Sequence, residues 1–228
     1  ASKKKKLLIL DLNGVLADIN NDQQSGIMAD GRAEGKPYCD EFLDFCAQNF
    51  EVAIWSSRNK NNVELVVDIV MKDFKPCLLF CWVNASKCTE TGHNTLDNRE
   101  KPLVLKELRK LDYSPSNTFL VDDSPYKALH NPVFVETSPY VNLSKLITYN
   151  EMTHYFHLVQ PHTGIFPHSY SYQNWTDDSV GPGGDLRVYL QKLADADDVQ
   201  TYVRNNPFGQ PFITDSDPHW DFYSQLVV

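Results

Sequence analysis

Residues 7–16 read LLILDLNGVL: four consecutive apolar side chains, then Asp11, then a polar turn at Asn13-Gly14 before apolar residues resume. An unbroken apolar run is what a strand buried on both faces requires, and such strands belong to parallel sheets covered by helices. The run stops on a carboxylate, so Asp11 is placed at the carboxyl end of a buried strand. Everything downstream can be measured against that one placement.

Outward from it, strand and helix patterns alternate. Cys39, Phe42, Leu43 and Cys46 have the i, i+3, i+4, i+7 spacing of a helix stripe beginning just after Pro37. Glu51–Ser56 predicts a second strand, and Val63, Val66, Val67 and Val70 repeat the helical spacing. Leu78–Trp82 predicts a third strand, Lys101-Pro102 opens a helix through about Leu111, Thr118–Val121 predicts a fourth strand and Val133–Val135 a fifth. Alternation of this kind predicts an α/β fold, a Rossmann-like parallel sheet with helices on both faces. Ligands of such sheets sit beyond the carboxyl ends of the strands, where Asp11, Ser56 and the pair Asp122-Asp123 all fall.

Composition bounds the rest. The 228 residues carry 21 Lys+Arg against 30 Asp+Glu, a net charge of −9. The acidic balance argues against direct nucleic-acid binding. No apolar run reaches the length of a membrane span, and Asp11 and Asn13 interrupt the stretch after Lys3–Lys6 before it could serve as a secretory leader. Five cysteines in a chain this long do not form the even framework of small secreted domains. An intracellular protein, nuclear or cytoplasmic, is expected. Cys81, Cys88 and His93 offer zinc-type donors, but their spacing contains no C-x-x-C pair. Gly181–Asp185 (GPGGD) lacks the Lys-Ser/Thr of a P-loop and predicts a turn before a helix marked by Leu186, Tyr189, Leu190 and Leu193. The pattern loosens after about residue 136. Residues 1–147 are expected to form the motif-bearing core, and 148–228 a C-terminal extension packed on it.

Four pieces of sequence bear on chemistry: LDLNG at residues 10–14, WSSR at 55–58, KPLVLKELRKL at 101–111 and VDDSP at 121–125. A carboxylate can attack phosphorus if its own charge and that of the phosphate are offset, by a metal held on oxygen ligands and by lysine. In their order, and in their places at strand ends, these pieces resemble the four motifs of the haloacid dehalogenase superfamily of phosphotransferases. WSSR and VDDSP are similar to the second and fourth motifs of its RNA polymerase II C-terminal-domain phosphatase family, and the resemblance covers about residues 5–147.

The resemblance implies that Asp11 is the nucleophile, that Ser56 binds phosphate, that Lys101 steadies the phosphoryl group and that Asp123 ligates Mg²⁺ together with Asp11 and the backbone carbonyl of Asn13. Asp122 is implied as an adjacent support. Lys106 is a second candidate for the lysine role, though inside the expected helix rather than at its start. The family's first motif is Asp-x-Asp, whereas this chain has Asp11-Leu12-Asn13, similar to plant members of the domain with DLNG-type first motifs. An amide can keep the carbonyl ligand but cannot protonate a leaving alcohol or activate water, help that is typically worth about 10²–10⁴ in rate.

Inserted segments bear on substrate size. Asp18–Lys36 is too short for an independent cap domain, and residues 83–99, with turn signals at Thr91-Gly92 and Asp97-Asn98, suit a small hairpin. An open site fits a phosphorylated protein segment, with Trp55 and Arg58 beside Ser56 as further contacts, although core packing is the simpler reading of Trp55. Two functions stay open on the sequence: an Mg²⁺-dependent phosphoserine/phosphothreonine protein phosphatase slowed by Asn13, and a catalytically impaired phosphopeptide-binding or scaffold domain. A small-metabolite phosphatase or nucleotidase whose missing cap comes from a partner chain is a third. The sequence assigns no oligomeric state.

Overall fold

In a computed structural model of the chain, the residues described are 4–18, 35–58, 60–83, 85–96, 98–111, 114–128, 164–165, 176–206, 208 and 215–226. Strand β1 (Lys6–Leu10) lies at the centre of a five-stranded parallel sheet, between β2 (Phe50–Trp55) and β6 (Thr118–Val121). Strand β3 (Leu78–Trp82) flanks β2 and the two-residue β7 (Gly164–Ile165) flanks β6. All five residues of β1 are buried, as its unbroken apolar run requires. The register sets Leu10 beside Ile54 on one neighbour and beside Val121 on the other. The strand order reverses at β1, so the crevice between the ends of β1 and β6 is the topological switch point.

Side-chain alternation sorts the core into two layers. Leu8, Leu10, Val52, Ile54, Phe119 and Val121 face a cluster containing helix α1 (Cys39–Asn49), helix α2 (Lys60–Val70) and, from far along the chain, α3 (Asp185–Asp195) and α4 (Val199–Asn205). Leu7, Ile9, Ala53, Trp55 and Leu120 face the other way, onto Cys88, Leu108 and Ala128. Helices α1 to α4 thus gather on the first face. The second is covered by 3₁₀ turns at Leu108–Lys110 and Pro125–Ala128 and by a two-stranded antiparallel hairpin.

That hairpin corrects one expectation. The segment opening at Lys101-Pro102 is not a helix: Pro102–Leu105 is strand β5, paired with β4 (Thr89–Asn94). Leu103 and Leu105 are buried while Val104 between them is only half-buried, the period of a strand. Leu103, Leu105, Leu108 and Leu111 satisfy a helical period nearly as well, and a short apolar run does not decide between the two. Long-range pairing with β4 decides it. The hairpin therefore reaches beyond the expected residues 83–99, and Lys106 leaves a strand rather than projecting from a helix.

Other expectations fall outside the described residues: the strand at Val133–Val135 and most of the Asp18–Lys36 insertion. The GPGGD segment forms a turn. Gly183 has φ +79°, and a Cβ on Gly184 would collide with the carbonyl oxygen of Asp178, so the backbones there pack too closely for any side chain. The turn leads into α3, whose Leu186, Leu190 and Leu193 are fully buried in the main core. Two lysines reach across to this region: Lys6 Nζ donates to the Ala194 carbonyl (2.8 Å), and buried Lys36 pairs with Asp177 (3.0 Å). A short helix α5 (Trp220–Ser224) closes a small cluster with Leu103 and Tyr126. No helix among the described residues is long and apolar enough to cross a membrane.

Candidate active site

The ladder between β1 and β6 runs one step past the strands, because Asp11 N donates to the Val121 carbonyl at 2.9 Å. Asp11 and Asp122 are thereby held side by side at the ends of the two central strands, both buried. The chain then turns sharply. Gly14 adopts φ +79°, a conformation only glycine takes without strain, and its N–H donates to the Ala17 carbonyl (2.8 Å). Leu16 and Ala17 N–H groups both donate to the Leu12 carbonyl. At the end of β6, Asp122 Oδ1 accepts from Ser124 N (2.8 Å) and Asp123 Oδ1 accepts from Ser124 Oγ (3.0 Å). Oxygens of Asp11, Asp122 and Asp123 lie within 4.8 Å of one another.

Two buried lysines offset this charge. Lys106 Nζ donates to Asp11 Oδ1 (2.8 Å) and to Asp122 Oδ2 (2.6 Å), with its side chain completely inaccessible to solvent. Lys127 Nζ stands 3.8 Å from Asp11 Oδ2 and 3.6 Å from Asp122 Oδ1. A backbone hydrogen bond from Lys106 N to the Lys127 carbonyl (2.7 Å) ties the two segments together. Burial alone would raise the Asp122 pKa, but Lys106, Lys127 and the Ser124 amide outweigh it and hold the carboxyl down at about 2. Burial would likewise lower the Lys127 pKa, and Asp122, Asp11 and Asp123 override it, so this ammonium is raised well above the ordinary lysine value.

Beside these groups opens a cavity of about 230 Å³ lined by Asp11, Asn13, Ser57, Arg58, Lys101, Asp123, Ser124, Tyr126 and Lys127. Desolvation lowers the pKa of Arg58 and, with help from Lys127 and Arg58, that of Lys101. The walls thus gather cations around one carboxylate pair, an arrangement suited to an anion that must approach Asp11.

The structure brings Asp11, Asn13, Lys101 and Asp123 together on this cavity. Ser56 does not line it. That side chain is fully buried, its N–H donates to the Trp82 carbonyl (2.7 Å), its Oγ accepts from Arg58 N (3.3 Å), and Ser57 faces the cavity instead. Trp55 is a core residue, edge-on to Trp82. Lys106, the second-ranked lysine, is the one bonded to Asp11 and Asp122, while Lys101 stands exposed at the rim. Lys127 carried no motif signal; a lysine in an otherwise apolar turn just after an acidic pair was the available hint. Cys81, Cys88 and His93 do not gather: among the described residues the one cluster of metal-type donors is the three aspartates.

The donor set is all oxygen, as a hard divalent cation requires. Three carboxylates against two ammonium groups leave one negative charge for such an ion to meet. Asp122 is already engaged on both oxygens by Lys106 and Ser124, which leaves Asp11 and Asp123 as the carboxylates of the cluster that would hold the ion.

Comparison with known proteins agrees with this architecture. A curated relative is an uncharacterised FCP1 homology domain-containing protein of Schizosaccharomyces pombe, 29% identical over 145 residues. The match spans 58% of this chain and 59% of that protein, so the chain corresponds to little more than half the length of its relative. A family model described as NLI interacting factor-like phosphatase matches residues 6–145, more than half of the chain and including every strand end described above except that of β7. The chain belongs to the NLI interacting factor-like phosphatase family, a phosphatase-like domain on a haloacid dehalogenase-type core.

Proposed function

We propose that this chain is an Mg²⁺-dependent phosphoserine/phosphothreonine protein phosphatase that works through an aspartyl-phosphate on Asp11 and is slowed by Asn13. The observation that carries the reading is the contact of buried Lys106 with both Asp11 and Asp122, directly behind a cavity that Asp11 lines together with Arg58, Lys101 and Lys127. Lys106 and Lys127 pair with Asp11 and orient it, which a nucleophilic carboxylate needs. One carboxylate oxygen of Asp11 attacks phosphorus while the phosphorus–oxygen bond to the serine or threonine breaks, and the departing alkoxide takes a proton from water. A second water then attacks the phosphoryl group and gives a proton to the hydroxide left by the first, the Asp11–phosphorus ester bond breaks, inorganic phosphate leaves and the Asp11 carboxylate is restored. Arg58 and Lys101 on the cavity wall orient the phosphoryl oxygens. Bound Mg²⁺ would offset charge on those oxygens. The absence of an independent cap in the sequence, together with a cavity that opens beside the hairpin, supports a protein segment as substrate.

Asn13 favours a second reading, a phosphopeptide-binding or scaffold domain that kept the pocket and lost turnover. Its amide cannot deliver a proton to the leaving group. Hydrolysis of an aryl phosphate by the chain as it stands, by Asn13→Asp and by Asp11→Ala separates the two. Weak activity that rises in Asn13→Asp and vanishes in Asp11→Ala supports the enzyme. Activity that survives Asp11→Ala sinks the aspartyl-phosphate. Phosphopeptide binding with no turnover in any of the three supports the binding domain.

A further inference from the structure

The two lysines beside Asp11 do different things with their hydrogen-bond donors. Lys106 spends two of them on Asp11 and Asp122 and does not line the cavity. Lys127 lines the cavity, yet its Nζ stays 3.6–3.8 Å from the nearest carboxylate oxygens, beyond hydrogen-bond range, and donates to nothing among the described residues. Its side chain is 9% exposed, so this is a nine-tenths-buried ammonium whose donors remain open to whatever enters. The ammonium is paired with Asp11 and Asp122 only at ion-pair range and faces the cavity, and a tetrahedral oxyanion is a ligand whose geometry and charge would match its open donors.

The charge balance points the same way. On the cavity wall Asp11 and Asp123 face Arg58, Lys101 and Lys127, while Asp122 and Lys106 offset each other behind it. Asp18, the remaining acid acting on Arg58, brings the whole set to neutrality rather than to a negative field. A pocket of three aspartates alone would repel a dianion until a metal arrived. This one does not.

We propose that Lys127 is a direct phosphate ligand of the cavity and that its ammonium lets the pocket take up a phosphate dianion in the absence of any divalent cation. The inference shares with the phosphatase reading only the class of ligand. Turnover fails or succeeds on Asp11 and Asn13, whereas this assignment fails or succeeds on binding without metal.

The experiment is calorimetric titration of the 228-residue chain with inorganic phosphate in excess EDTA. The expected result is saturable one-to-one binding, weakened about ten- to hundred-fold in Lys127→Gln, the usual worth of a charge-assisted hydrogen bond. Lys127→Arg is expected to recover most of it, and Lys87→Gln, remote from the cavity, to leave it unchanged. Binding that appears only after Mg²⁺ is added overturns the proposal, as does undiminished binding by Lys127→Gln. Should Lys127→Gln not fold, the wild-type chain with ¹⁵N-labelled lysine answers the question. Phosphate in EDTA must then shift the Nζ resonance that Lys127→Arg removes, and an unmoved resonance refutes the assignment. Phosphate binding in EDTA with no hydrolysis would leave this inference standing and the catalytic reading fallen; Asp11-dependent hydrolysis with strictly Mg²⁺-dependent binding would do the reverse.

Discussion

Lys106 Nζ lies 2.6 Å from Asp122 Oδ2, and neither side chain has any exposure to solvent. This pair joins the segment after the hairpin to the end of β6, and through the second contact of Lys106 it also fixes Asp11. The site is therefore a structural joint as well as a chemical one. Removing the lysine should be felt in stability before it is felt in rate.

Lys106→Met leaves two buried carboxylates with Lys127 as their remaining cation. Breaking one side of a buried ion pair costs about 3–5 kcal/mol, and Lys127, at longer range, offsets a part of that. A fall in unfolding free energy of about 2–4 kcal/mol is expected from urea titration. An unchanged urea midpoint would show that the lysine carries no such weight.

Acid should act through Asp122. Its folded pKa lies below the unfolded value, so the stability it contributes is complete above the ordinary carboxylate range, near 4, and is lost as pH falls toward about 2. Unfolding midpoints measured from pH 5 down to pH 2 should therefore fall more steeply in the wild type than in Asp122→Asn. Parallel profiles would remove Asp122 as the acid-sensitive group.

Catalysis should answer to position 13. If general acid–base help is what the amide withholds, Asn13→Asp raises aryl phosphate turnover by as much as about 10²–10⁴. Its effect should appear in kcat rather than KM, because the proposed mechanism assigns the ground-state phosphate contacts to other side chains. A gain confined to KM would point to binding, not proton transfer.

Helix α3 should behave as part of the core. Leu190 is fully buried in the cluster that covers β1, so Leu190→Ala is expected to cost about 2–5 kcal/mol. Deleting residues 176–228 should leave a chain without a cooperative melting transition by circular dichroism. A truncated chain that melts as the full one does would make the extension dispensable.

The strand ends were legible because each announced itself locally. β1 is an apolar run stopped by Asp11, and β6 is an apolar run stopped by Asp122-Asp123. Burial on both faces demands continuous apolar residues, and so it writes itself into adjacent positions. The leucines after Lys101 fit both a helical and a strand period, and only pairing with Thr89–Asn94, absent from any local window, makes the segment a strand. The apolar run also puts Ser56 at the end of β2, but the direction of its side chain depends on the turn that brings Ser57 and Arg58 to the cavity.

By itself, then, the sequence determined the parallel sheet, the order of its motif-bearing strands and the carboxylates at their ends, because those follow from burial and from spacing along the chain. Tertiary structure decided which lysine touches which carboxylate. Lys106 and Lys127 are separated from Asp11 by 95 residues or more, and no periodicity encodes a contact at that distance. What selects it is the cost of burying Asp11 and Asp122 without a cation, a cost that arises only when the strands have come together.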